Sequence, residues 1–354
     1  MKRLQYVGLV LSWLMGACVG RDKTPKEVLQ EKVDTLQADV ITESVKHDAD
    51  DPAIWINPQD ASKSLIIGTD KDEDGGLYMF DLNGKIVGSF TGISRPNNVD
   101  VAYGLKLKGR PTDIAVTTER LTNRLRIFSL PDLKPVDQGG FEVFTGEAER
   151  APMGIAIYTR PADHAIFAIV SRKSGPNEGY LWQYRLRDNG NGEVGGELVR
   201  KFGKYSGKKE IESIAVDNEW GFVYYSDEQT GVRKYLADPD VHNDKELALF
   251  GDKGFSEDNE GIAIYKTGEK SGYILVSNQG SHTLMVYPRK GGVGDGHEHP
   301  LLAEIPVSAQ ETDGIDATAV RLGSKFPEGM VVSMSTDKTF HLFDWRKIKE
   351  RIRK

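Results

Sequence analysis

D-D-P-A-I-W-I at residues 50–56 and N-E-G-I-A-I-Y at 259–265 share one form, an acid or amide followed by a short β-branched and aromatic run. Such a run is too short for a helix and reads as a buried strand. The same form returns as N-N-V-D-V-A-Y (97–103), P-M-G-I-A-I-Y (152–158), I-E-S-I-A-V (211–216) and D-G-I-D-A-T-A-V (313–320). Each opening is followed by a second strand: S-L-I-I-G-T-D, T-D-I-A-V-T-T, H-A-I-F-A-I-V-S, G-F-V-Y-Y-S-D, G-Y-I-L-V-S-N and G-M-V-V-S-M-S. Most units then carry a third strand with an aromatic, such as G-L-Y-M-F-D-L or T-F-H-L-F-D-W. A repeat of roughly fifty residues marks propellers and solenoids. Six units of about four antiparallel strands predict an all-β fold, a six-bladed β-propeller spanning 41–350. The segment 39–45 is a candidate extra strand for the last blade.

Composition agrees. Among 354 residues, 38 are glycine, and the apolar runs are short. A formal net charge of -7 argues against nucleic acid as a partner. Lys2 and Arg3, then an apolar run from Val7 to Met15, read as an export signal over 1–17. Gly16 and Ala17 precede Cys18, the single cysteine, so that the segment resembles a bacterial lipobox with Cys18 as the lipidation site. The expected destination is the bacterial cell envelope or the medium, with any membrane contact made through that lipid. No second thiol exists for a disulfide or a thiolate zinc site. Residues 18–40 are polar and read as a tether.

In a propeller the innermost strands line an axial channel, and equivalent positions of all blades meet at one end. Asp50, Asp51, Asp100, Glu212, Glu260, Asp313 and Asp316 stand at or near the start of innermost strands. A ring of carboxylates at one mouth is therefore expected. Such a ring binds hard cations or takes up protons, and oxygen donors favour Ca²⁺. Any one of these acids read alone is a turn residue; their recurrence makes the set a site.

These stretches resemble the β-propeller phytases, calcium-dependent phosphatases acting on inositol hexakisphosphate. D-A-D-D-P-A-I-W-I-N-P with S-L-I-I-G-T-D-K and G-G-L-Y-M-F-D-L-N-G-K is similar to that family's first blade. N-N-V-D, E-D-N-E-G-I-A-I-Y, S-N-Q-G and T-D-G-I-D follow in the family's order. The resemblance implies several calcium ions and attack on phosphorus by a metal-held water, without a covalent intermediate. It assigns Asp50, Asp51, Glu212, Asp258, Glu260 and Asp313 as calcium ligands and Gln279 as a polar member of the same site. Glu228 resembles the acid beside the attacking water, so that Glu228, Asp51 and Glu212 are the catalytic set. Lys71, Arg120 and Lys173 resemble the phosphate-binding cations. The implied partner is a small molecule, an inositol phosphate, acted on by a monomer.

Two departures stand out. Met153 occupies the place of a phosphate-binding tyrosine, and it cannot donate that hydrogen bond. The last blade, S-T-D-K-T-F-H-L-F-D-W, lacks the family's asparagine-rich run, which puts a structural calcium there in doubt. The turn D-K-D-E-D-G-G (70–76) is expected to be exposed, and G-G-V-G-D-G-H-E-H (291–299) a mobile loop whose His297 and His299 make a poor zinc signature. The basic end, W-R-K-I-K-E-R-I-R-K, reads as a solvated tail. Two alternatives stay open: a propeller that binds a ligand or partner without chemistry, and a calcium-dependent hydrolase of another substrate such as a lactone.

Overall fold

The computed structural model describes residues 34–292 and 296–352. The export signal, Cys18 and most of the expected tether lie outside the described residues. Six antiparallel sheets follow one another around a ring, as expected. Their innermost strands are Ala49–Trp55, Pro96–Leu107, Pro152–Thr159, Ile214–Asp217, Asn259–Gly268 and Ile315–Thr318. Each pairs outward with a second strand: Leu65–Asp70, Arg110–Glu119, Ile166–Arg172, Phe222–Asp227, Ser271–Asn278 and Met330–Ser335. Five blades have four strands. Blade 2 instead ends in two short pieces, Lys134–Pro135 and Phe141–Glu142, both paired to Arg124–Leu130.

Blade 6 takes its outermost strand from the start of the propeller. Val40–Ile41 pairs antiparallel with Thr339–Asp344, and Thr42 extends the contact by donating its N–H to Phe340 O at 3.0 Å. The chain thereby closes its own ring, with blade 6 built from both ends of the propeller. The last residues of the expected tether are packed. Leu36 is buried and forms a bridge with Val307, so from Asp34 the chain belongs to the folded unit.

Apolar side chains of consecutive blades fill the gaps between sheets, as in the cluster joining Val40, Ile54, Ile66, Phe80, Met330 and Phe340. The basic end is not a solvated tail. Trp345–Ile352 is a helix whose Trp345 and Ile348 are buried, with Trp345 stacked on Tyr265 at 3.4 Å between ring centroids. Its lysines stay outside and pair with acids: Lys347 with Asp39 at 2.6 Å, Lys349 with Glu328 at 2.7 Å. Of the loop 291–299, His299 is buried against Phe250 and donates its Nδ1–H to Pro288 O at 2.8 Å. No described helix is long and apolar enough to cross a membrane.

Candidate active site at the channel mouth

The six inner hairpins share one register. Pro52, Val99, Ile155, Ile214, Ile262 and Ile315 pair with Gly68, Thr117, Val170, Tyr225, Val276 and Ser333. Two residues before them stand Asp50, Asn97, Met153, Glu212, Glu260 and Asp313, the first rim ring. Beyond the end of the second strands stand Lys71, Arg120, Lys173, Glu228, Gln279 and Thr336, a second ring. Each of these six donates its N–H to a carbonyl on the loop entering its own blade: Asp48, Arg95, Ala151, Glu210, Asp258 and Gln310, at 2.7–3.2 Å. The residue before each is turned inward to hold that loop. Asp70 accepts His47 N–H at 3.0 Å, Asp227 accepts Ser206 N–H at 3.0 Å and Asn278 accepts Ser256 N–H at 2.8 Å. Asp70 is therefore buried, whereas Glu73 and Asp74 of the same turn are exposed as expected.

This rim is divided. Blades 1 to 3 present Lys71, Arg95, Arg120 and Lys173, and blades 4 to 6 present most of the acids, joined by Asp50 of blade 1. Together they enclose a cavity of about 240 Å³ lined by Lys71, Arg95, Arg120, Lys173, Lys209, Glu210, Glu212, Glu228, Glu260, Gln279 and Asp313. Two carboxylate groups converge there. Asp50, Glu212 and Asp313 form one, Glu228, Asp258 and Glu260 the other, each with ligand atoms within 4.8 Å of one another. Gln279 Nε2 donates to Asp313 Oδ1 at 2.6 Å, and Asn97 Nδ2 donates to Asp50 Oδ2 at 3.2 Å. Lys71 ion-pairs with Asp50 and lies 3.4 Å from Asp313. Lys173 pairs with Glu210, and Arg120 Nη1 reaches Asn97 Oδ1 at 3.5 Å.

Burial dominates the electrostatics. Glu228 is pushed up to about 8 by desolvation first and by Glu212 second. Desolvation also raises Asp50, Glu212 and Glu260, with neighbouring carboxylates adding to it. Lys71 and Lys209 are held protonated by the acids around them. Glu228 Oε1 and Glu260 Oε2 are buried without a hydrogen-bond partner. Buried carboxylate oxygens in that state need a cation or a proton. An all-oxygen donor set with amide support fits a hard divalent cation such as calcium.

The expected ring of seven acids divides in two. Asp50, Glu212, Glu260 and Asp313 are at the mouth, while Asp51, Asp100 and Asp316 face a cavity of about 500 Å³ along the axis. There they bind backbone rather than converge. Asp51 Oδ2 accepts Val99 N–H at 2.9 Å, Asp100 Oδ2 accepts Ile157 N–H at 2.7 Å, and Asp316 Oδ2 accepts Ile54 N–H at 2.8 Å. Each fastens its own blade to the next. Ser213, at the position equivalent to Asp51, does the same for Ile262 N–H at 2.8 Å. Asp51, placed by the sequence with the ligands and the catalytic set, thus stands outside both carboxylate groups. Met153 is fully buried and does not line the mouth cavity. Arg95, Lys209 and Glu210 line the mouth but do not stand out in the sequence, because residue type on the entry loops changes from blade to blade. Arg95 and Glu210 nevertheless occupy the entry-loop position that Asp258 occupies in blade 5, so an alignment of the six repeats would have exposed them.

Comparison with known proteins places the chain in a family. A family model described as Phytase matches residues 6–348. A 3-phytase of Bacillus subtilis (strain 168) is 28% identical over 328 residues, covering 86% of this chain and 81% of that protein. Among solved structures, Kuenenia stuttgartiensis hydrazine synthase aligns with a TM-score of 0.50 at 11% identity, covering 83% of each chain, a likeness of fold alone. A structure of U3-55K aligns with a TM-score of 0.48 at 10% identity over 79% of this chain and 72% of that one. The chain is an enzyme and belongs to the Phytase family.

Proposed function

We propose that the protein is a calcium-dependent phosphomonoesterase that removes phosphate from phytate without a covalent intermediate. The observation that carries this reading is the divided rim, in which two carboxylate triplets, the Glu228 group buried and the Asp50 group partly so, meet an arc of four cations at one cavity. Asp50, Glu212 and Asp313 would hold one site for the ion, and Glu228, Asp258 and Glu260 another. Calcium bound there would offset the carboxylate charge facing an anionic substrate and act as a Lewis acid. Lys71, Arg95, Arg120 and Lys173 meet phosphate directly, Arg through paired N–H groups and Lys as a point charge. Phytate carries phosphates on neighbouring ring carbons, so one can reach the acidic half while its neighbour rests on the cationic arc. Glu228, with Oε1 unengaged, orients the attacking water and can take its proton once neighbouring charge is neutralised. No serine, cysteine or histidine lines the mouth cavity among the described residues, which supports direct attack by water over a covalent route through those nucleophiles. The cationic arc favours phosphate over a neutral lactone.

The test is phosphate release from phytate by the purified protein with calcium and after chelation. Release confined to calcium, falling at least about a hundredfold in Glu228→Gln and Glu260→Gln, supports the proposal. Release unaffected by chelation ends it. We extend the proposal to export through residues 1–17, lipidation at Cys18 and a monomeric enzyme. Mass spectrometry of the mature N-terminus and light scattering check these points.

A further inference from the structure

Lys209 enters the Glu228 group from the loop between blades 3 and 4. Its Nζ pairs with Asp258 and lies 3.3 Å from Glu228 Oε2 and 3.9 Å from Glu260 Oε1. It contacts all three carboxylates of the group, although its own side chain is 40% exposed. The backbone beneath it is fixed, since Tyr205 Oη donates to Lys209 O. The adjacent Lys208 is held elsewhere, its Nζ donating to Gln229 O at 2.7 Å. Lys209 is thus a tethered monovalent cation in a place built for a cation.

One ammonium cannot satisfy the group. Three carboxyl groups share one lysine, and both oxygens of Glu228 and Glu260 Oε2 remain without a hydrogen bond. An ion coordinated by all three acids and an ammonium bonded to the same oxygens exclude one another, by contact and by repulsion. The lysine stem is flexible and opens toward solvent at the cavity, so it can leave without moving the backbone.

We propose that Lys209 is an intramolecular competitor for calcium at the Glu228–Asp258–Glu260 group: it screens these acids in the calcium-free protein and sets the calcium concentration at which the site loads. The Nζ that calcium displaces stays at the cavity with Arg95, Arg120 and Lys173. Calcium loading thereby adds a fifth cation to the phosphate-binding side, coupling the ion to substrate affinity. This rests on the calcium reading above.

The test is calcium titration by calorimetry of the wild type, Lys209→Met, Lys209→Arg and Lys208→Met, with thermal unfolding in chelator and in saturating calcium. Competition predicts that Lys209→Met binds calcium at least about tenfold more tightly at one site. The same variant should lose Tm in chelator, where three buried acids face one another unscreened, and keep or gain Tm in calcium. Lys209→Arg should retain weak binding, and Lys208→Met should match the wild type. Unchanged or weaker binding in Lys209→Met overturns the competitor role while leaving the calcium reading intact. Absence of calcium binding in every variant, wild type included, overturns both.

Discussion

Asp50 and Asp51 are adjacent, yet their side chains serve different ends, because successive residues of a strand point to opposite sides. Asp50 reaches the mouth and Lys71; Asp51 reaches across to the N–H of Val99 in the next blade. Asp51→Ala removes a buried acceptor and should cost about 1–3 kcal/mol in chemical denaturation, with the number of calcium ions bound unchanged by calorimetry. Asp50→Asn should weaken calcium binding and also cost stability, since it leaves Lys71 with Asp313 alone. Asp316 offers a pH signature away from the mouth. Burial pushes it up to about 7, with Asp100 adding repulsion, while Ile54 and Ala317 N–H groups oppose the rise. Between the ordinary carboxylate range and about pH 7 the folded protein binds more protons than the unfolded chain at this residue. Its contribution to stability therefore falls as pH rises through that window and is level above it. Asp316→Asn lowers stability at every pH by leaving one backbone donor poorly met. Its deficit relative to wild type should shrink by about 2–4 kcal/mol between pH 4 and pH 8, measured by denaturant midpoints. A deficit constant with pH would refute this.

At the level of the element, the inner hairpin is the unit that builds the site. Its second strand is fastened to the next blade by a hydroxyl two residues before the rim residue: Thr118 Oγ1 donates to Met153 O, Ser226 Oγ to Glu260 O and Ser277 Oγ to Thr312 O, at 2.6–2.8 Å. Because the period is two, the residue two further on points the same way and emerges at the mouth. That is why Lys71, Arg120, Lys173, Glu228 and Gln279 could be found from sequence, each following a T-D, T-E, S-R, S-D or S-N pair. Entry loops carry no such period, so Arg95, Lys209 and Glu210 were hidden. The docked helix was hidden for another reason. Its cationic residues dominate the sequence, and only the stacking of Trp345 on Tyr265 reveals the apolar side.

For the whole molecule the decisive feature is closure of the ring by its first strand. Deleting residues 34–45 removes the pairing of Val40–Ile41 with blade 6 and the bond from Phe340 N–H to Thr42 Oγ1 at 2.9 Å. It also removes Leu36, Val40 and Val45 from the core. That loss should exceed about 5 kcal/mol and open the ring, so phosphate release should fail at temperatures the intact protein withstands. Full activity and an unchanged melting temperature in the deletion variant would show that blade 6 holds without it. Under the calcium proposal, removal of the ion acts on the same whole-molecule scale, because the acids of the mouth come from blades 1, 4, 5 and 6.

The sequence by itself determined the blade count, the strand order and the side of the ring on which acids and cations gather. Those properties follow from repetition, and repetition is written along the chain. Only the tertiary structure decided which acids meet. Asp51, Asp100 and Asp316 resemble Asp50, Glu212 and Asp313 in the sequence, and the difference lies in whether the neighbouring blade presents a backbone N–H or another carboxylate. That is a contact across the ring between residues far apart in the chain, such as Asp316 and Ile54. Lys209 among the Glu228 acids has the same origin, since a lysine on a loop acquires a role only from what folding sets within reach of its ammonium.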